Sequence, residues 1–213
     1  MSRSTLIHLA GIAAIISGAL YITIQFIHPV ETLAAVSTPS WLLVATMTFA
    51  MAALGTLGVT GLYVRQAEES GTLGFIGFVL LYLWLVIIMG VTFAEGFILP
   101  PLVDEAPEFV ESFIVYTSGD SSAIDSVALE VVALLAGIPY ILGGLIFGIA
   151  TLRAKLLSRW GAILLIVGTL ASFIVPLLPH SLGRMMAIPV GLALILLGYS
   201  LRAEKKEGLS VAS

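Results

Sequence analysis

The chain contains no cysteine, and of its 213 residues only 9 are Lys or Arg, 13 are Asp or Glu and 3 are His. Without cysteine there is no disulfide, no thiolate metal site and no cysteine nucleophile, although compartment is left open. The shortage of charge excludes more. With 10% of residues charged, 59% hydrophobic and a mean hydropathy of +1.12, the chain cannot cover a water-facing surface of its size. The net charge of -4 holds no basic patch, so nucleic-acid binding has no electrostatic footprint. Also missing is any polar stretch of the roughly 50 residues that an independent soluble domain needs. A single membrane domain over residues 1–213 is expected.

What remains is apolar and arranged in long runs. A hydrocarbon core of about 30 Å takes about 20 residues of helix. Six runs meet that length: 5–28, 41–64, 73–99, 126–152, 160–178 and 182–201. None alternates polar and apolar residues as a barrel strand does. The first run is too long for the apolar region of a signal peptide, and no small-residue cleavage site follows it, so it is expected to remain as a span. The fold class is therefore all-α, a polytopic bundle of six transmembrane helices.

Charge sets the expected direction. Arg3, Arg65, Arg153, Lys155, Arg159, Arg202, Lys205 and Lys206 fall on one side if both termini, including the tail 202–213, are cytoplasmic; only Arg184 falls outside. The connection 100–125 carries Asp104, Glu105, Glu108, Glu111, Asp120 and Asp125 without a single Lys or Arg, so it faces out. Within it "PEFVESFIVY" spaces Phe109, Phe113 and Tyr116 for a short amphipathic helix on the outer surface; a solvated loop is the alternative.

Small residues four apart, Ala14 with Gly18, Gly144 with Gly148, Gly168 with Ser172 and Ala187 with Gly191, predict close helix contacts. Pro139 before Gly143 and Gly144 predicts a kink in the fourth span, and a moving hinge if helices of this kind line a pathway here. "GIAAIISGALYI" and "GAILLIVGTLASFI" each set two glycines seven apart, and the following spans end in "GLYVRQAE" and "GYSLRAE". Either helices 1 and 2 are duplicated as helices 5 and 6, or packing glycines and basic stops recur independently.

Polar residues within the spans gather near the outer face. Gln25 and His28 close the first span on one helix face. Glu95 lies about one turn below Pro100, and Glu130 about one turn inside the fourth span. His180 and Arg184 flank the turn between the fifth and sixth. Asp125 and Glu130 stand at a helix N-terminus, where the dipole favours an acid, whereas Glu95 stands near a C-terminus, where it does not. A carboxylate in a span costs free energy unless it is protonated or paired. Contact of Glu95 with Arg184, His28 or His180 is therefore expected. An ion-pair cluster under the outer loops is the first reading of this layer, and a ligand or ion site the second. No metal motif, nucleophile elbow or phosphate-binding glycine loop occurs, so no metal, cofactor or catalytic residue is assigned and no enzyme is expected.

At "GLYVRQAEESGTLGFIGF" (61–78), "FAEGFILPPL" (93–102) and "GIATLRAKLLSRWGAILLIVGTL" (148–170) the chain resembles small multi-pass bacterial membrane proteins of unknown function. The resemblance implies the bacterial cytoplasmic membrane and carries over no reaction, substrate or site. Two functions stay open. One is a structural or accessory subunit that binds another membrane protein, or a second copy of itself, within the bilayer. The other is a small transporter or ligand-binding protein whose outer polar layer forms the mouth, with Thr46, Thr48, Thr56 and Tyr140 as the only polar groups deeper in.

Overall fold

The computed structural model describes residues 2–117 and 127–210, and among them it contains helices and turns but no strand. Helix α1 (Arg3–Ile27) opens where the Ser2 hydroxyl accepts the Thr5 amide at 3.2 Å, and it stops before Pro29. A single turn, α2 (Leu33–Val36), leads into α3 (Pro39–Phe93), capped by Thr38 with proline at its first position. Helical backbone continues through a wide π turn (Ala94–Ile98) into α4 (Leu99–Leu102). After α5 (Pro107–Thr117) come α6 (Val127–Ala154), α7 (Arg159–Leu170), α8 (His180–Met185) and α9 (Ile188–Ser210).

Four segments are long and apolar enough to cross a membrane: Arg3–Ile27, Pro39–Leu102, Val127–Ala154 and Leu182–Ala203. The second has 64 residues, and as one straight helix it would run about 96 Å, three times a bilayer core. It does not run straight. Gly71 has φ 54° and ψ −148°, a left-handed backbone that admits glycine and few other residues. There the chain reverses, and its arms, 39–70 and 72–93, pack side by side. Tyr63 stacks on Phe78 with ring centroids 4.6 Å apart, and Gly55 lies against Leu85. The expected runs 41–64 and 73–99 are these two arms.

The run expected at 160–178 keeps α-helical form only to Leu170, then tightens into 3-10 turns at Ala171–Phe173 and Val175–Leu177. Pro176 and Pro179 lack the amide hydrogens that a continuing helix would use. The run expected at 182–201 is divided between α8 and α9. Pro139 lies inside α6 without ending it, and leaves the Leu135 carbonyl without its usual intrahelical donor.

Glycine sets the helix contacts. A methyl at Gly18 would collide with the Gly191 carbonyl, and one at Gly198 with the Gly11 carbonyl, so α1 and α9 meet backbone to backbone. Helix α7 meets α9 through Gly161 against Leu197 and Gly168 against Val190. At 100° per residue the two sets of α9 positions lie about 100° apart around the helix. Both seven-apart glycine pairs noted in the sequence therefore pack against one helix, on faces about a quarter-turn apart. Gly144 against Thr169 and Gly148 against Ile166 join α6 to α7 in the same way.

The core of Met51, Leu62, Leu85, Phe147, Leu165 and Leu197 is closed to solvent. Outside it, large apolar side chains such as Leu57 at 60% exposure, Leu134 at 59% and Tyr199 at 66% face outward. An aqueous surface does not tolerate apolar exposure on this scale. The ends differ in charge. Arg3 borders one cavity with Gly61 and Val64, Arg202 packs on Gly11, and Ser158 bonds Ser200, which draws the basic residues to one end. The opposite end carries Glu31 and Glu95. Helix α5 docks there through Val110 and Ile114, which pack with Val36, Trp41 and Leu99. A helix forms, as the apolar spacing allows, but Phe109 points outward and the buried face lies one residue further along. Side chains of Tyr116 and of Asp120 and Asp125 fall outside the described residues.

Candidate functional site

The backbone at Glu95 explains why this stretch is unusual. Pro100 and Pro101 follow it, and in an α-helix their rings would press on the carbonyls of Gly96 and Phe97. The chain widens instead: the Leu99 amide donates to the Ala94 carbonyl, five residues back. That register leaves the Glu95 carbonyl facing residue 100, a proline with no hydrogen to give. The indole nitrogen of Trp41 fills the vacancy, donating to the Glu95 carbonyl at 2.8 Å from the other arm of α3. Trp41 is nearly fully buried. Such π turns recur at functional sites.

From Trp41 the layer continues sideways. The His28 ring meets the Trp41 ring edge to face, centroids 6.2 Å apart. Its Nδ1 lies 2.8 Å from the Pro29 carbonyl and 3.6 Å from a Glu31 carboxylate oxygen. The same oxygen accepts from the Arg184 guanidinium. Glu31 thus receives Arg184, a role the sequence had offered to Glu95. It lies just past Pro29, outside any apolar run, so reading only the spans passed over it; an acid three residues after His28 was the available signal. Glu95 is half-buried and enters the layer through its carbonyl. The His180 side chain lies outside the described residues, although its backbone opens α8. Glu130 stands exposed in the first turn of α6. Among the described residues, no three His, Asp or Glu side chains converge closely enough to hold a metal ion.

Below this layer two cavities share a wall. The first, of about 320 Å³, is bordered by Gln25, Ser172 and Arg184 together with Tyr21 and Tyr140. The second, of about 270 Å³, is bordered by Thr48, Met51, Trp84 and Ile88, again with Tyr21 and Tyr140. The two tyrosines, from α1 and α6, border both cavities, and Ser172 borders the first with them. Trp84 backs the pair, edge-on to Tyr21 with centroids 6.2 Å apart and tilted against Tyr140 at 4.7 Å. Gln25 is held in place by donating to the Tyr21 carbonyl at 2.9 Å.

The two compartments differ in chemistry. The first offers hydroxyl and amide groups and a guanidinium whose charge Glu31 balances; the Arg184 Nε hydrogen is buried with no acceptor. The second is almost wholly apolar. Of the deeper polar groups expected from sequence, Thr46, Thr48 and Thr56 all donate back to carbonyls of their own helix, at 2.8, 2.9 and 2.7 Å. They offer no path inward. Thr48 borders the second cavity and Tyr140 both; Tyr21 beside it could not be foreseen, because residues 119 positions apart meet only in the folded bundle. No family profile, no curated protein and no solved structure matches this chain.

Proposed function

We propose that the chain is a multi-pass protein of the bacterial cytoplasmic membrane, with six spans and both termini inside, that binds a small lipid-soluble molecule in its outer half. The pair of cavities divided by Tyr21 and Tyr140 carries this reading. A polar compartment set against an apolar one suits a ligand with a hydrogen-bonding head and a hydrocarbon body that lies across the tyrosine pair. The head is an acceptor. Glu31 already occupies the Arg184 charge and repels a second anion, while the phenols and the Arg184 Nε hydrogen face the first cavity as donors; the Ser172 hydroxyl already donates to the Thr169 carbonyl at 2.8 Å. A neutral carbonyl compound, such as a quinone or an ester, meets those demands.

The six-span arrangement draws support from the two arms of α3 and from the basic residues at one end, which favour the cytoplasm. The filled core below the tyrosines weighs toward binding and against passage through the bundle. An accessory role remains the second reading, supported by α5, which presents Glu108, Glu111 and Phe109 outward. Co-purification from membranes tests it.

Trp84 tests the first. A short-chain benzoquinone with a decyl tail, titrated into the protein in lipid nanodiscs, is expected to quench Trp84 fluorescence saturably. Quenching should fall in Trp84→Phe, and Tyr140→Phe should weaken binding by about threefold to tenfold through loss of one hydrogen bond. Linear, non-saturating quenching that is the same in all three proteins refutes the proposal.

A further inference from the structure

A second site lies at the basic end, independent of the tyrosine cavities. Where α6 gives way to α7 there is a cavity of about 470 Å³ bordered by Thr151, Leu152, Lys155, Leu157 and Arg159. Two of these five residues are cations. A basic end alone follows from topology, which asks only for exposed Lys and Arg. The floor of this cavity asks for more.

Thr151 is 1% exposed, and its hydroxyl oxygen accepts from the Gln66 amide at 2.9 Å; Gln66 itself is completely buried. One hydrogen bond between two such groups leaves donors to spare. As the pair stands, the Thr151 hydroxyl hydrogen has no acceptor; with the amide turned over, the Gln66 nitrogen has none. The Gln66 oxygen is likewise buried without a partner. Thr151 borders the cavity and Gln66 lies behind it, so a spare hydroxyl hydrogen on Thr151 fits a ligand rich in acceptor oxygens and negative charge.

The rim adds an independent sign. Lys155 has φ 58°, the one described residue other than glycine with a positive φ. It ends α6, its amide donating to the Thr151 carbonyl at 3.2 Å. Glycine is the usual residue at such a helix end and would sit there without strain. A lysine held in an unfavourable backbone state beside a cavity points to a use for its charge.

We infer that this cavity binds a phosphate group, with Lys155 and Arg159 supplying the charge and the Thr151–Gln66 pair a donor from the floor. Two sources share that chemistry: the headgroup of an anionic lipid and free phosphate. Basic pockets between helices at a membrane surface commonly take lipid headgroups.

The test uses the full-length protein in nanodiscs of phosphatidylglycerol mixed with phosphatidylcholine, released into mild detergent and weighed by native mass spectrometry. Wild type is expected to retain phosphatidylglycerol over phosphatidylcholine. Lys155→Gly and Arg159→Gln should each lower that preference about fivefold, the effect of about one unit charge at a membrane surface. Thr151→Val, which keeps the shape and removes the hydroxyl, should lower retention of both lipids, since both carry the phosphate that the floor would contact. A parallel titration of delipidated protein with inorganic phosphate, followed by phosphorus NMR, separates the sources. Saturable phosphate binding that the three substitutions weaken, without lipid preference, assigns the site to free phosphate. Indifference of both readouts to all three substitutions overturns the inference. Lys155→Gly relieves backbone strain, so loss of binding in that variant is not explained by misfolding.

Discussion

Replacing Trp41 by Phe removes one donor from one acceptor, and the π turn shows what that acceptor has left. The Glu95 carbonyl accepts from the Trp41 indole at 2.8 Å. The Leu99 amide is taken by Ala94, and residue 100 is proline. Trp41→Phe should therefore leave the carbonyl without a donor in a buried setting, at about 1 to 3 kcal/mol. The smaller ring also leaves a void worth about 1 kcal/mol. The total falls at about 2 to 4 kcal/mol. The void term can be cancelled. Pro100→Ala restores an amide hydrogen at residue 100, which serves the Glu95 carbonyl in the π register; if the turn relaxes to an α-helix, Leu99 serves it instead. In a Pro100→Ala background Trp41→Phe should thus cost about 1 to 3 kcal/mol less than in wild type, because only the packing loss remains. Reversible unfolding in mixed detergent micelles, followed by circular dichroism, measures all four proteins of the cycle. Equal costs in both backgrounds would refute the account of the π turn.

Three further substitutions probe the backbone. Gly71→Ala introduces no clash, since nothing lies within 4 Å of the added methyl, so its cost should be conformational alone, about 1 to 2 kcal/mol by the same unfolding assay. Lys155→Gly should act in the opposite sense and stabilise by about 1 kcal/mol, shown as a raised melting temperature, whatever it does to phosphate binding. Gly18→Ala and Gly137→Ala form a matched pair. The first drives a methyl into the Gly191 carbonyl and should destabilise by about 1 to 3 kcal/mol; the second meets open space and should be neutral or stabilising by up to about 1 kcal/mol.

Apolar length made most of the bundle legible in advance. Runs of about 20 residues name α1, the two arms of α3 and α6 within a few residues of their observed bounds, because lipid leaves a backbone few alternatives to helix. The break between the arms was visible as polar sequence, but its sharpness rests on the single φ of Gly71. The layer around His28 and Arg184 was legible in composition, but Glu31, the acid that receives Arg184, lay outside the apolar runs. Glu95 drew attention as a carboxylate in a span, and its carbonyl also enters the layer, through a turn set by prolines five and six residues later. Helix α5 shows a similar limit. Aromatic spacing of Phe109, Phe113 and Tyr116 suggested an amphipathic helix on the outer surface; the helix packs on Trp41 and Leu99 through Val110 and Ile114, with Phe113 partly buried beside them. The Tyr21–Tyr140 wall joins helices distant in sequence, and no local pattern announces it.

The grip of α1 and α7 on α9 has a consequence for biosynthesis. Gly18 is translated first, and its partner Gly191 arrives about 170 residues later, which at about 5 to 20 residues per second means a wait of roughly 9 to 35 seconds. Throughout that interval α1 lies in the membrane with its glycine face covered by lipid or by a helper of the insertion machinery. Helix α9 covers α1 only after it has left the ribosome, so a nascent chain halted before residue 191 should be open to intramembrane quality control that the finished bundle escapes.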